Sequence, residues 1–135
     1  MDLVVDANIL FAVLIRSGKT EELIFEPELH LFAPEFIFKE FEKYTQEILQ
    51  KTNRTIEEFQ ELLDILQTRI KTMSNEATES HLQLAIKCCP DRKDADYFAI
   101  ALKLHCAIWS NDQQLKKQEL IKIYTTKELI ELFSK

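Results

Sequence analysis

The sequence predicts an α/β protein in which a parallel sheet of four or five strands carries helices on both faces. Short apolar runs alternate along the chain with longer segments whose apolar residues recur at helical spacing, which is typical of βαβ units. Two of the short runs lead into an aspartate, Asp6 and Asp112. The chain of 135 residues favours one domain, spanning residues 1–135.

The N-terminal segment predicts the first strand and two helices. Residues 3–5 form a short β-branched run, and apolar residues then recur at helical spacing over 9–14. Thr20 is a candidate cap for a second, short helix, and Pro27 ends that helix. The order strand, helix, helix already favours a crossover to a parallel neighbour.

The next segment predicts a second strand and two further helices. Residues 29–33 form the strand, and Pro34 suits the start of a helix. The apolar stripe predicted for that helix consists of Phe36, Ile37, Phe41, Tyr44 and Ile48. Thr55 and Glu58 have capping-box spacing and predict the start of the following helix.

The second half repeats the alternation. Residues 69–73 give a weak strand signal, and a helix follows them. Asp94 starts another helix, which leads into a strand over 107–110. Residues 120–124 predict the last strand, and Thr126 is a candidate cap for the final helix. Right-handed crossovers place the carboxyl ends of all these strands on one edge of the sheet.

Composition excludes several classes of function. The formal net charge is −6 and the pI is about 5.1, which argues against a protein that relies on its own positive charge to bind nucleic acid. Nucleic acid remains open as a substrate, because bound cations reverse the local sign of a carboxylate cluster. Gly18 is the single glycine, so neither a P-loop nor a dinucleotide-binding glycine motif is present.

The expected location is cytoplasmic. No apolar run is long enough to cross a membrane, and the N-terminus lacks the pattern of a signal peptide. The three cysteines, Cys88, Cys89 and Cys106, have neither disulfide-framework nor zinc spacing, so we expect reduced thiols.

Four acidic residues are expected at the carboxyl edge of the sheet. Asp6 and Asp112 follow strands, Asp94 starts a helix, and Glu40 lies in the helix after the second strand. Taken singly, each has a simpler interpretation as a helix cap, a turn residue or a solvated side chain. Together they would repel one another unless a hard divalent cation such as Mg²⁺ or Mn²⁺ neutralised them. Such a site is suited to hydrolysing phosphodiesters.

Four short motifs occur in the order found in PIN domains, and the chain resembles that family over nearly its whole length. The first, Val-Val-Asp-Ala-Asn-Ile-Leu, covers residues 4–10 and includes Asn8. The others cover residues 31–42, 91–102 and 108–115. The resemblance implies a three-layer α/β/α sandwich and metal-dependent cleavage of RNA.

The resemblance also implies roles for individual residues. Asp6, Glu40, Asp94 and Asp112 match the acidic metal ligands of the family. Ser110 matches a hydroxyl position beside the last aspartate that holds a metal-bound water. Many small members are ribonuclease toxins, which implies an antitoxin partner and a homodimer. The number of metal ions, one or two, stays open.

Alternatives remain at two positions and for the function. Asp96 is the second choice to Asp94, which is preferred because an alanine follows it at the usual interval of the family. Glu42 competes with Glu40 in the second motif. The competing function is a non-catalytic PIN-like module for protein interaction or dimerisation, in which the helix over 55–69 offers an apolar face.

Overall fold

The structure, a computed structural model, describes residues 1–134 and contains a five-stranded sheet in which every pairing is parallel. The strands are β1 (Asp2–Val5), β2 (His30–Pro34), β3 (Ile70–Met73), β4 (Ala107–Trp109) and β5 (Ile123–Tyr124). The predicted α/β fold is confirmed, and the weak signal over 69–73 corresponds to β3.

Two groups of helices cover the sheet and complete the three-layer sandwich that the sequence resemblance implies. The helices are α1 (Ala7–Ile15), α2 (Lys19–Ile24), α3 (Ile37–Lys43), α4 (Thr45–Lys51), α5 (Ile56–Arg69), α6 (Asn75–Cys88), α7 (Ala95–Leu104) and α8 (Thr126–Phe133). Helix α7 packs on α6 and lies against β1, β2 and β4, whereas α1 contacts α2, α4 and α5, and α2 contacts α8. Within residues 1–134, none of these helices is both long and apolar enough to span a bilayer.

The strand order is β3-β2-β1-β4-β5, so the chain starts in the middle of the sheet and changes direction once. Strands β2 and β3 are added on one side of β1, and β4 and β5 are added on the other. The backbone pairing of β1 with β4 extends beyond the strand, because the amide of Asp6 donates to the carbonyl of Trp109 at 3.0 Å. The crevice beyond the carboxyl ends of β1 and β4 is therefore a topological switch point, where α/β proteins place their ligands.

The central strand is buried on both faces. Leu3, Val4 and Val5 are completely inaccessible to solvent, as expected for a parallel strand between two helical layers. Trp109 of β4 is also fully buried, and its indole nitrogen donates to the Thr126 hydroxyl at 3.0 Å. Burial of such side chains stabilises the fold by roughly 2 kcal/mol each, so the residues that precede the switch point are held rigidly.

One helix predicted after the second strand is two helices. Pro34 ends β2 instead of starting a helix, and the helical chain breaks at Tyr44, between α3 and α4. The hydroxyl of Thr45 donates to the carbonyls of Phe41 and Glu42 at 3.2 and 2.8 Å, and such bonds compete with the regular helical ladder. Tyr44 consequently leaves the buried stripe and is 40% exposed.

Two predicted caps and one strand boundary were wrong. Gly18, with φ at 155°, precedes α2 in place of Thr20, because few other residues adopt that conformation. Thr125 caps α8 in place of Thr126, because only Thr125 has a glutamate three residues later for a capping box. The last strand has two residues, because the Gln118 side chain bonds the backbone N–H and carbonyl of Ile121 and keeps them out of the sheet.

Candidate active site

A cavity of about 760 Å³ opens at the carboxyl edge of the sheet, beside the switch point. The four acids expected at this edge all line it, as does Asn8. These acids are Asp6, Glu40, Asp94 and Asp112. They come from four separate parts of the chain, and only the fold brings them together.

Asp6 is fixed in place by both of its carboxylate oxygens. It follows β1 and caps α1, with Oδ1 accepting from the Ala7 amide at 2.8 Å. Its Oδ2 accepts from the hydroxyl of Ser110 at 2.6 Å. Asp6 is 8% exposed. Burial raises its pKa, although both hydrogen bonds act in the opposite direction.

Ser110 joins three residues of the site. It is fully buried, donates to Asp6, and accepts from the Asn8 side-chain nitrogen at 3.2 Å and from the Asp112 amide at 3.1 Å. A hydroxyl has one donor and two acceptor positions, so these bonds fill its capacity. Ser110 therefore positions Asp6, Asn8 and Asp112, and the contact with a metal-bound water that the resemblance implies stays a prediction.

Asp94 is buried without a partner among the described residues. It ends a short 3₁₀ helix (Arg92–Asp94) and precedes α7, yet its side chain makes no capping bond. No group of residues 1–134 donates a hydrogen bond to its carboxylate. Its pKa is raised to about 6, mainly by burial and then by the carboxylates of Asp6 and Asp91, with Lys93 acting in the opposite direction.

The two remaining acids, Asp112 and Glu40, have fewer hydrogen-bond partners than Asp6. Asp112 precedes a second 3₁₀ helix (Gln113–Lys117), and its Oδ1 accepts from the Gln114 amide at 3.0 Å. The interpretation as a turn residue thus accounts for one oxygen of Asp112. Glu40 is an exposed residue of α3 whose side chain lines the cavity. The alternative candidates were Glu42 for Glu40 and Asp96 for Asp94, and neither of them lines the cavity.

Sequence reasoning passed over one residue in the middle of the site. Tyr97 lines the cavity, is 6% exposed and packs edge-to-face on Phe36, with ring centroids 6.2 Å apart. Burial raises the pKa of its phenol, and the carboxylates of Asp6, Asp94 and Glu40 add to the effect, so the hydroxyl stays protonated. Tyr97 follows Asp94 by three residues, and this helical spacing was the available signal.

Lys93 brings a positive charge into the same cavity. It lines the cavity and lowers the pKa of both Asp6 and Asp94 through its charge. Its ammonium lies 3.8 Å from an oxygen of Asp91, but the lysine side chain is 78% exposed. Such an exposed pair contributes little to stability, which leaves the ammonium free to contact an anionic ligand.

The donor set fits a hard divalent cation in chemistry. All four candidate ligands are carboxylates, the type of ligand that Mg²⁺ and Mn²⁺ prefer. Within residues 1–134, no three His, Cys, Asp or Glu side chains are close enough together to form a ligand shell. The four acids therefore share a cavity in this structure without being gathered into one ligand shell.

Comparison with known proteins supplies the family. A search of curated proteins found no match for this chain. A family model described as "PIN domain" matches residues 4–132, nearly the whole chain. PIN domains are generally nucleases that act on nucleic acid and typically use divalent metals. The chain belongs to the PIN-domain family.

Proposed function

We propose that this chain is a Mg²⁺- or Mn²⁺-dependent endoribonuclease whose metal ligands are Asp6, Glu40, Asp94 and Asp112. One observation supports this most directly: acids from four elements line one cavity at the switch point of the sheet. Two of them are buried in the protein with raised pKa values. Buried like charges cost stability unless a ligand neutralises them, and they are typical of functional sites.

The metal, when bound, polarises the phosphodiester and supplies an activated water. The residues of the chain orient this chemistry. Ser110 and the Ala7 amide fix both oxygens of Asp6, so that this ligand needs no rearrangement. Asp94 has no competing partner among the described residues. Lys93 and Tyr97 line the same cavity, so the ammonium of Lys93 is placed for a phosphate oxygen of the substrate and the protonated Tyr97 hydroxyl is a hydrogen-bond donor for it.

The test compares two aspartates that differ in position relative to the cavity. Asp6→Asn keeps the shape of a ligand and removes its charge, whereas Asp96→Asn makes the same change on α7 outside the cavity. Calorimetry with Mn²⁺ and cleavage of a labelled RNA are measured for both variants. Asp6→Asn should lower cleavage by about 100-fold or more, since metal stabilisation is worth several kcal/mol, and should abolish measurable Mn²⁺ binding.

Asp96→Asn should stay within about twofold of the unsubstituted protein, because a lost surface charge has little effect on a site it does not touch. The reverse ranking would contradict the ligand assignment. Absence of both Mn²⁺ binding and cleavage in the unsubstituted protein, together with a stable complex with another protein, would favour the non-catalytic interaction module.

Finer aspects of the proposal rest on the sequence alone. RNA is the proposed substrate, and cleavage of DNA and RNA oligonucleotides of one sequence would test that choice. A toxin role with an antitoxin partner, a homodimer and a cytoplasmic location stay predictions.

A further inference from the structure

Three aromatic side chains line the cavity, and the acidic chemistry does not use them. Phe11 of α1, Phe36 before α3 and Tyr44 at the break between α3 and α4 line the same cavity as the acids. We call these three residues the aromatic wall. Phe11 and Phe36 are partly exposed, and Tyr44 is 40% exposed. Exposed apolar side chains that line the same cavity are typical of a ligand-binding surface.

The cavity is larger than its acidic chemistry requires. A metal ion with six waters occupies about 180 Å³, at roughly 30 Å³ per water. The cavity measures about 760 Å³. The aromatic wall forms part of the cavity lining. The remaining volume lies within the range of volumes found for pockets that bind small organic groups.

The charges around the aromatic wall distinguish between parts of a nucleotide. The ammonium of Lys43 lies 5.7 Å from the centroid of the Tyr44 ring, and that of Lys51 lies 5.5 Å from the Phe11 ring. Glu47 of α4 lines the cavity itself. The carboxylate of Glu47 disfavours an anion inside the cavity, whereas the ammonium groups over the Tyr44 and Phe11 rings favour phosphates beside the wall. A neutral base suits the rings, while the lysines are placed for the phosphates on either side of it.

We propose that the aromatic wall stacks one unpaired base of the nucleic acid substrate, adjacent to the phosphodiester held at the acids. The base and the scissile phosphate thus share one cavity. A base within a duplex is already stacked on its neighbours, so the wall selects single-stranded nucleic acid. This inference rests on the proposed nuclease function for its substrate, but the stacking can be measured without cleavage.

The experiment uses the cleavage-deficient Asp6→Asn protein and a single-stranded RNA of about eight nucleotides that carries one 2-aminopurine. Fluorescence of that base falls when it stacks on an aromatic ring, and titration gives the Kd, in EDTA and again with Ca²⁺. Tyr44→Ala is compared with Tyr44→Phe, which keeps the ring. Phe25→Ala is the matched control, since Phe25 is also 40% exposed and lies outside the cavity.

Tyr44→Ala should weaken binding by about 5- to 100-fold, the range for loss of one base–aromatic stack, and should remove the quenching. Tyr44→Phe and Phe25→Ala should bind as the parent does. The same RNA annealed to its complement should bind without Tyr44-dependent quenching. Urea unfolding of each variant shows whether a loss comes from misfolding, and in that case Tyr44→Leu, which fills more of the ring's volume, replaces Tyr44→Ala.

The outcomes separate the wall from the nuclease. Equal binding by Tyr44→Ala and Phe25→Ala, or a parent protein that shows no quenching, would overturn the aromatic wall even if the protein cleaves RNA. Tyr44-dependent quenching by a protein that never cleaves would keep the wall and reject the nuclease. In the cleaving protein, Tyr44→Ala should raise KM with little change in kcat, as expected for a uniform binding contact.

Discussion

Two regions of this molecule bury charge in opposite ways. At the end of α5, the guanidinium of Arg69 donates to the backbone carbonyls of Ile24 and Leu29 at 2.7 and 2.6 Å, and to that of Glu26. These carbonyls belong to the end of α2 and the loop before β2. The Glu26 carbonyl also accepts from the Leu29 amide at 3.0 Å, so the guanidinium is a second donor there and a side-chain donor for the other two carbonyls.

The acid cavity shows the reverse arrangement. Asp94 lies within the electrostatic reach of Asp6 and Asp112, and each of these carboxylates raises its pKa. Of the four polar residues that are buried among residues 1–134, three belong to this site, namely Asp6, Asp94 and Ser110. The charge of Arg69 is thus compensated by backbone groups of the fold, whereas the carboxylate of Asp94 has no such compensation among the described residues.

The largest effect on stability is expected at the compensated region. Arg69→Met keeps much of the side chain's apolar volume but removes the donor from the Ile24 and Leu29 carbonyls, while the Glu26 carbonyl keeps the Leu29 amide. At about 1–3 kcal/mol for each of the two unsatisfied groups, partly offset by water, the loss should be about 2–4 kcal/mol of unfolding free energy. Urea unfolding measures it. Arg16→Met, an exposed arginine beyond α1, is the control and should change stability by less than about 0.5 kcal/mol.

A smaller effect, of opposite sign, is expected in the acid cavity. Asp94→Asn removes an ionised carboxylate that the folded state disfavours. The pKa of Asp94 is raised from 3.8 to about 6, so its contribution to stability is complete below pH 3.8 and is lost as the pH rises through about 6. At pH 7 and without metal, the asparagine variant should be more stable by about 1–3 kcal/mol. At pH 3.5 the two proteins should be nearly equal.

Thermal unfolding across this pH range in EDTA makes the measurement, and addition of Mn²⁺ sharpens it. The unsubstituted protein should gain stability on binding the ion, and Asp94→Asn should gain less. If Asp94→Asn were less stable than the unsubstituted protein at pH 7 in EDTA, the Asp94 carboxylate would have a stabilising partner in the folded protein, and its assignment as an uncompensated charge would be wrong.

The two regions also differ in how far the sequence foretold them. The edge position of Asp6 follows from a strand that ends in a carboxylate, and strand topology then brings Asp112 beside it. Periodicity also predicted the order of the elements. The Arg69 guanidinium, in contrast, donates to carbonyls that lie 40 or more residues away in the chain. No local sequence pattern encodes such contacts.

The predictions from sequence failed where a side chain took the place of a backbone hydrogen-bond partner, or where the buried face of a helix was assigned wrongly. The hydroxyl of Thr45 donates to two carbonyls of α3 at the break beside Tyr44. The Tyr44 ring, which the sequence placed in the apolar stripe, lines the cavity instead. Tyr97 was overlooked because the prediction for its helix considered only the acidic residues and the apolar stripe, and its position in the cavity depends on tertiary contacts. Propensity and spacing describe elements, whereas these outcomes depend on tertiary contacts.

The smallest effect is expected for a compensated charge on the surface. Lys116 Nζ lies 2.6 Å from Glu128 Oε1, and this contact, with the Thr125 amide, lowers the pKa of Glu128 to about 2. Stability from Glu128 is therefore present above pH 4.5 and lost as the pH falls towards 2. Both side chains are about one-third exposed, so Lys116→Gln should cost about 0.5 kcal/mol at pH 7 in low salt.

That cost should become smaller in about 1 M salt, where the screening length falls to about 3 Å, and also near pH 2, where Glu128 is about half protonated. Urea unfolding under the three conditions measures it, with Lys117→Gln as the control because Lys117 is an exposed neighbour in the same 3₁₀ helix. A loss comparable to that of Arg69→Met would show that exposure does not set the value of a compensated charge here. A loss confined to low salt and neutral pH would place burial, rather than pairing alone, at the origin of the stability that Arg69 provides.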